Sequence, residues 1–456
     1  MTQAGPKKAS FRTRLLRASG WSVLMMLAEN LLRLASNVII TRFLLPEAFG
    51  VMMFITMLLT ALTLFADVGL KRSVAREMDG DDPAFLRVVW TVKIRRGLGI
   101  AGVMVLIAAG FWAFGTRLAP PGSVYADPRL PGLLCLAALS PVLQGLASSS
   151  AELMSRNLDY KRQVILIIIT RLLAIAITVA AALISPTVWA LVLGMLSANL
   201  MNTVLTHLLL SGPRMRWQRD AEIEARLWDF GRFVMWSSGL NFLGQNADRF
   251  LLASFLDSHL FGIYAVAMIW IVAGQMLMLK LLDNVAISGL AEVARTRPQD
   301  LERVYAKFDK LMVLGAAAAA LACFFLGPIV LRLLYPDSFQ GVGVMLQFLS
   351  LRFLALRFQS LEMLITVQGQ SRVLMQINLI RAVVICIAMP LAFTLFGIEG
   401  ALLVTALSSL SATPYLIWHA WRQFNGYGRR HLLADIGWLA MTLGLAAGFS
   451  HWLALS

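Results

Sequence analysis

Three arginines in the middle of long apolar stretches carry the strongest chemical signal in this chain: Arg33, Arg171 and Arg381. A guanidinium in hydrocarbon is costly unless it faces water, a carboxylate or an anionic ligand. Its planar fork bonds phosphate oxygens two at a time. Around Arg33 stand Asn30, Asn37 and Thr41, whose spacings of three and four put them on one helical face, with Arg42 just beyond. Glu29, one turn before Arg33, is a local partner for it. A second polar stripe follows at Asn241, Gln245, Asp248 and Arg249. The candidate cations Arg33, Arg42, Arg171, Arg249 and Arg381 outnumber the candidate anions Glu29 and Asp248. The chemistry that this pattern offers is the binding of an anion, phosphate above all.

A duplication positions these groups. Ser150-Ala151-Glu152-Leu153-Met154 is echoed by Ser360-Leu361-Glu362-Met363-Leu364, Arg162 by Arg372, and Arg171 by Arg381. The offset is 210 residues in each case. Charge is expensive in a bilayer, so three charges recovered at one offset point to a duplicated helical bundle. Glu152 with Arg162, and Glu362 with Arg372, flank equivalent turns and read as interfacial salt bridges or snorkelling side chains. Arg171 and Arg381 lie about nine residues into their helices, roughly 13 Å deep at 1.5 Å per residue. Each faces either a wet cavity or a buried structural partner. Lys280 and Asp283 read as a local pair, and Arg352 and Arg357 are assigned to neither class.

Composition sets the solvent. The chain has 456 residues, of which 14% are charged, and a mean hydropathy of +0.73. A soluble domain carries about 25% charged residues. The net charge of +15 is the kind that basic cytoplasmic loops produce in a polytopic protein, so no nucleic-acid partner is expected. Cys135, Cys323 and Cys386 lie in apolar runs without metal-ligand spacing, and the five histidines are scattered. No metal, cofactor or disulfide is predicted.

A bilayer-spanning helix needs about 20 mostly apolar residues. Thirteen such stretches are predicted, near 17–44, 47–70, 90–115, 130–153, 163–184, 187–211, 230–255, 259–285, 308–334, 341–367, 372–396, 398–421 and 433–454. The fold class is therefore all-α and polytopic. The basic start followed by an apolar run resembles a signal peptide, but the run continues past Glu29 and Arg33, so it reads as a retained helix. Basic connections fall on one side at every second crossing, which predicts a cytoplasmic N-terminus. The expected organisation is a basic tail over 1–16, a six-helix bundle over 17–211, a linker over 212–229, a second bundle over 230–421, and a basic linker with an added helix over 422–456. Polar stripes on the equivalent first and seventh helices predict a shared wet cavity.

Several segments resemble the oligosaccharide flippase branch of the multidrug/oligosaccharidyl-lipid/polysaccharide exporter superfamily. They include Pro46-Glu47-Ala48-Phe49-Gly50, Ala66-Asp67-Val68-Gly69-Leu70, Arg156-Asn157-Leu158-Asp159-Tyr160-Lys161-Arg162, Val188-Trp189-Ala190-Leu191-Val192, Asp248-Arg249-Phe250-Leu251-Leu252 and Phe261-Gly262-Ile263-Tyr264. In order and spacing they cover about residues 17–421. The resemblance implies a MATE-like V of two six-helix bundles around a central cavity. It implies export of undecaprenyl-pyrophosphate-linked oligosaccharide across a bacterial inner membrane by alternating access, for capsule, exopolysaccharide or O-antigen. It also implies the lipid bilayer, a polysaccharide polymerase and export machinery as partners. The added C-terminal helix departs from a twelve-helix plan.

Two other functions are weighed. A cation-coupled multidrug antiporter of the same superfamily calls for an acidic cavity, and this one leans basic. A membrane glycosyltransferase or ligase needs paired carboxylates for acid/base chemistry, and the longest outer connection, about 116–129, holds Asp127 alone. The chain is therefore read as a non-enzyme without a catalytic residue, and it has no P-loop glycine pattern. The topology is tested by cysteine labelling. Cysteines near Ser123, Ser185 and Ser258 should react from the periplasm of intact cells, and those near Ser73 or Gln218 should not. Outside labelling near Gln218 would overturn the repeat assignment.

Overall fold

The computed structural model describes residues 11–157, 159–282, 293, 300–367, 370–423 and 429–455. Among the described residues the only strand-like pairing is an isolated bridge between Ser123 and Asp257. The helices are α1 (Phe11–Ile40), α2 (Pro46–Phe65), α3 (Leu70–Arg76), α4 (Pro83–Leu118), α5 (Leu130–Ala137), α6 (Leu139–Leu146), α7 (Ser150–Arg156), α8 (Tyr160–Ile184), α9 (Val188–Leu209) and α10 (Ala221–Phe255). They continue as α11 (Ser258–Leu282), α12 (Leu301–Leu321), α13 (Gly327–Leu334), α14 (Val342–Ser350), α15 (Arg352–Ala355), α16 (Gln359–Val367), α17 (Ser371–Leu407), α18 (Thr413–Gln423) and α19 (Arg429–Leu455). Among the described residues, each of the stretches predicted to span is occupied mainly by helix. The protein is an all-α, polytopic membrane protein.

Ten helices among the described residues are long and apolar enough to cross a bilayer, or eleven with the bent pair Leu130–Leu146 and Ser150–Arg156. One of these, 372–423, is broken at Gly397, where φ is 64° and only glycine fits without strain. The 35-residue α10 is absent from that set because its interior is polar. Backbone hydrogen bonding in hydrocarbon leaves the helix as the only economical open-chain solution, and this sequence takes it throughout.

Several helices begin earlier than the apolar pattern predicts, three of them by seven residues or more. α4 starts at Pro83, α10 at Ala221 and α12 at Leu301. The first turns of α10 and α12 are amphipathic and charged, and such turns extend into the aqueous layer beyond the hydrocarbon. The segment expected as a linker, 212–229, is accordingly helical from Ala221 onward. Asp220 caps it, its Oδ1 accepting from the N–H groups of Glu222 (3.0 Å) and Ile223 (3.1 Å).

The chain divides into two compact units. The first comprises Met1–Phe43, Leu62–Gly110 and Pro131–Trp236. Within it α8 packs on α9 and α1 on α8. A core of Val68, Leu70, Val74, Phe85, Leu86, Val88, Val89, Ile223 and Leu227 binds α3 and the first turns of α4 and α10 to the connection that follows α2. Arg156 closes the end of α3, its Nη1 donating to the carbonyls of Val74 (2.6 Å) and Glu77 (2.5 Å).

The second unit comprises Leu44–Ala61, Phe111–Leu130 and Ser237–Ser456. Here α2 and α11 meet backbone to backbone. A Cβ at Gly50 would fall 2.8 Å from the Ser258 carbonyl, and one at Gly262 would fall 1.8 Å from the Pro46 carbonyl. Small residues at such crossings are the usual route to close helix contact in lipid. The Pro46–Gly50 and Phe261–Tyr264 segments are therefore a packing joint.

The added C-terminal helix α19 is anchored by charge. Arg357, only 5% exposed, meets Asp435 of α19 at 2.6 Å and Asp309 of α12 at 3.2 Å. It also donates to the Ala434 carbonyl at 3.0 Å. The Trp438 ring lies 5.4 Å from the guanidinium, and its N–H donates to the Leu354 carbonyl. Removing one member of such a buried set leaves uncompensated charge, which costs about 3–5 kcal/mol. Arg357→Ala should lower the thermal unfolding midpoint in detergent markedly. The triple change Arg357→Met, Asp309→Leu, Asp435→Leu should recover most of the loss. Equal midpoints for Arg357→Ala and wild type would contradict the anchor.

Candidate functional site

Arg33 lies in the apolar stretch 23–40 of α1, and Arg171 is near the middle of the 25-residue α8. The two helices pack on one another within the first unit. Arg33 is held in place by its own helix. Its Nη2 donates to Asn30 Oδ1 at 2.7 Å, and Asn30 Nδ2 donates to the Met26 carbonyl at 3.0 Å. Its Nε is buried without a hydrogen-bond partner.

Burial, the Arg171 guanidinium and the Glu29 carboxylate all act on Arg33. Among the described residues no carboxylate lies within ion-pairing distance of Arg33 or Arg171. Arg171 is exposed and Arg33 half-buried. Two guanidiniums from neighbouring helices thus share one region of the spanning layer with Glu29. Such a region attracts a multivalent anion. Asn37 and Thr41 complete the stripe, both buried, with Thr41 Oγ1 donating to the Val38 carbonyl at 2.9 Å. Arg42 is exposed at the end of the helix.

The candidates of the second unit are organised differently. Asp248, 1% exposed, is paired with Arg352, 7% exposed, at 3.0 Å. Arg352 also donates to the Thr405 carbonyl at 3.1 Å. Asn241 and Gln245 are exposed and hydrogen-bonded to each other at 3.0 Å. Arg249 is half-buried beside Tyr264, with its Nε unpartnered. Arg381 is buried, paired with Glu362, and donates to the Ser409 carbonyl at 3.2 Å. Of the two alternatives open for the deep arginines, the partnered one holds for Arg381, while Arg171 is exposed and has no ion pair among the described residues.

The duplicated turn charges pair across helices instead of across their turns. Glu152 meets Lys93 of α4 at 2.9 Å, and Lys93 also donates to the Ala147 carbonyl at 3.1 Å. Arg162 donates to Ser211 Oγ. Glu362 takes Arg381, and Arg372 is exposed. The pair expected between Lys280 and Asp283 lies outside the described residues. Lys93, Arg352 and the Asp309–Arg357–Asp435 set were not identified from sequence as partners. The available signal was that each is a charge inside an apolar stretch.

Comparison with known proteins agrees with this architecture. The family profile described as "Polysaccharide biosynthesis protein" matches residues 39–344. The amylovoran biosynthesis protein AmsL of Erwinia amylovora is 23% identical over 309 residues, covering 64% of this chain and 77% of its own. Among solved structures, the lipid II flippase MurJ in an inward closed conformation aligns with a TM-score of 0.66 at 11% identity, covering 95% of this chain and 100% of its own. An inward-facing multidrug resistance MATE family transporter of the MOP superfamily aligns at 0.64 and 15% identity, covering 92% and 99%. At these identities the solved structures establish the fold alone.

The two deep arginines should separate in a stability measurement. Arg381→Ala strands the Glu362 carboxylate and should cost about 3–5 kcal/mol, read as a large fall in unfolding midpoint. Arg381→Met with Glu362→Leu should restore it. Arg171→Ala, which breaks no ion pair, should leave the midpoint within a degree or two of wild type. The reverse order of effects would contradict the assignment.

Proposed function

The chain belongs to the polysaccharide biosynthesis protein family, and from that premise we propose that it flips lipid-linked oligosaccharides across the membrane. The carrier is undecaprenyl pyrophosphate, and the cargo is a repeat unit of capsule, exopolysaccharide or O-antigen. The reading places the protein in a bacterial inner membrane with its N-terminus in the cytoplasm. It takes 17–211 and 230–421 as six-helix repeats working by alternating access. A polymerase on the far side receives the flipped unit.

The observation that supports this most is the uncompensated pair Arg33 and Arg171. A pyrophosphate is the group of a lipid-linked sugar that resists entry into hydrocarbon most. One guanidinium about 4 Å from a phosphate charge contributes roughly 4 kcal/mol at an effective dielectric of 20. Two of them offset a large part of the desolvation of a pyrophosphate while leaving the sugar unread. Glu29 supplies counter-charge when the anion has left. Arg381, already neutralised by Glu362, is assigned to helix packing.

Replacement tests the assignment. Arg33→Ala and Arg171→Ala should each abolish polymer export while membrane insertion stays normal. Lysine at either position keeps the charge and loses the two-oxygen geometry, so export should be partial. Arg162→Ala, whose partner is the Ser211 hydroxyl, should be milder. Wild-type export from normally inserted Arg33→Ala and Arg171→Ala variants would remove the arginine pair from the substrate path.

A further inference from the structure

The first unit contains a cavity of about 680 Å³ that the arginine pair does not touch. Its walls come from the end of α2, the first half of α4 and the first half of α10. Leu62, Phe65, Val92, Ile100, Val103 and Met235 make them almost wholly apolar. Arg95, Arg96 and Glu224 stand at one end.

The polar end carries surplus positive charge. Arg95 meets Glu224 at 2.7 Å, and Arg219 approaches the same carboxylate at 3.5 Å. Arg96 has Asp67 at 3.4 Å, a long and weak contact, and remains 25% exposed. Asp67 already accepts the Gly69 N–H at 3.0 Å. Glu152 also acts on Arg96, but it is bound to Lys93. Three arginines therefore face two carboxylates, and Arg96 is the least satisfied of them.

Shape narrows the occupant. At 1.5 Å per residue, Val103 lies about 10 Å along α4 from Arg96, and Met235 about 16 Å along α10 from Glu224. The apolar walls run away from the charge. A cationic end with an apolar slot leading away from it suits a lipid whose head is a phosphate anion. Gly99 forms part of the wall, and a Cβ there would meet nothing within 4 Å.

We propose that this groove is a docking site for a polyprenyl pyrophosphate, with the phosphates at Arg95 and Arg96 and the first isoprene units along the slot. The inference rests on the proposed function for its substrate class and adds to it a second place on the protein. A lipid held here presents its anionic end at the membrane surface before or after the sugar crosses.

The test uses the purified full chain in detergent and a geranylgeranyl pyrophosphate carrying a photoreactive group, a twenty-carbon probe. Cross-links should map to segments 62–68, 92–103 and 224–235. Gly99→Trp fills the slot without a backbone clash and should cut that labelling at least tenfold. Arg96→Gln, a smaller change, should do the same. Unlabelled geranylgeranyl pyrophosphate should compete at least tenfold better than dioleoyl phosphatidylglycerol, and better than inorganic pyrophosphate. The double variant Arg33→Ala, Arg171→Ala should label in the groove like wild type. Absent labelling of these segments in monodisperse protein, labelling unchanged by both variants, or equal competition by phosphatidylglycerol would each overturn the proposal. The two readings fail separately. Lost export in the double variant with an unlabelled groove sinks only the docking site. Normal export in the double variant with a labelled groove sinks only the arginine-pair assignment.

Discussion

Every ionised group inside a bilayer must find compensation, and that requirement organises this protein. The cost of an uncompensated charge in hydrocarbon is several kcal/mol, comparable with the stability of a whole domain. The chain meets it with partners from other helices. Asp248 has Arg352, Arg381 has Glu362, Glu152 has Lys93, and Arg357 has both Asp309 and Asp435. Each pair fixes the approach of two or more helices, because the geometry that satisfies it is narrow. Against that background Arg33 and Arg171 stand apart: they are deep, close enough to repel, and without a carboxylate in ion-pairing range. Under the proposed function, this pair is the place where compensation arrives from outside.

The duplication sharpens the contrast. Arg171 and Arg381 occupy equivalent positions 210 residues apart, as do Glu152 and Glu362. In the second copy the two equivalent charges bond to each other, and the arginine is buried. In the first copy Glu152 is taken by Lys93, so the equivalent arginine is released and exposed. One lysine on α4 therefore separates a structural arginine from an available one.

Much of this was legible in the sequence, and the limits have physical causes. The helices were readable because bilayer thickness imposes a length and hydrocarbon imposes a composition, so the 25 residues of α8 could hardly be anything else. The polar stripe Asn30, Arg33, Asn37 on α1 followed from helical periodicity. The early starts of α10 and α12 were missed because an amphipathic, charged turn carries no hydropathy signal. Pairings between helices were missed for a different reason. Nothing in the spacing of Asp248 and Arg352, 104 residues apart, says that they touch. Arg171 and Arg381 look alike in the sequence, and their partners tell them apart: Glu362 bonds to Arg381, whereas Glu152 bonds to Lys93. The Gly50 and Gly262 segments were read as family marks, and their backbone contact supplies the physical reason for them.

The account turns on whether the anionic group of the lipid is what the unpaired arginines recognise. Flipping measured in proteoliposomes with two fluorescent glycolipids isolates that point, one joined to its polyprenyl chain by pyrophosphate and the other by an uncharged linker of similar length. The account predicts that the wild-type protein moves the pyrophosphate lipid and leaves the neutral one. It also predicts that removing the Arg171 guanidinium abolishes this difference by slowing the charged lipid. Equal movement of both lipids by the wild-type protein would contradict it.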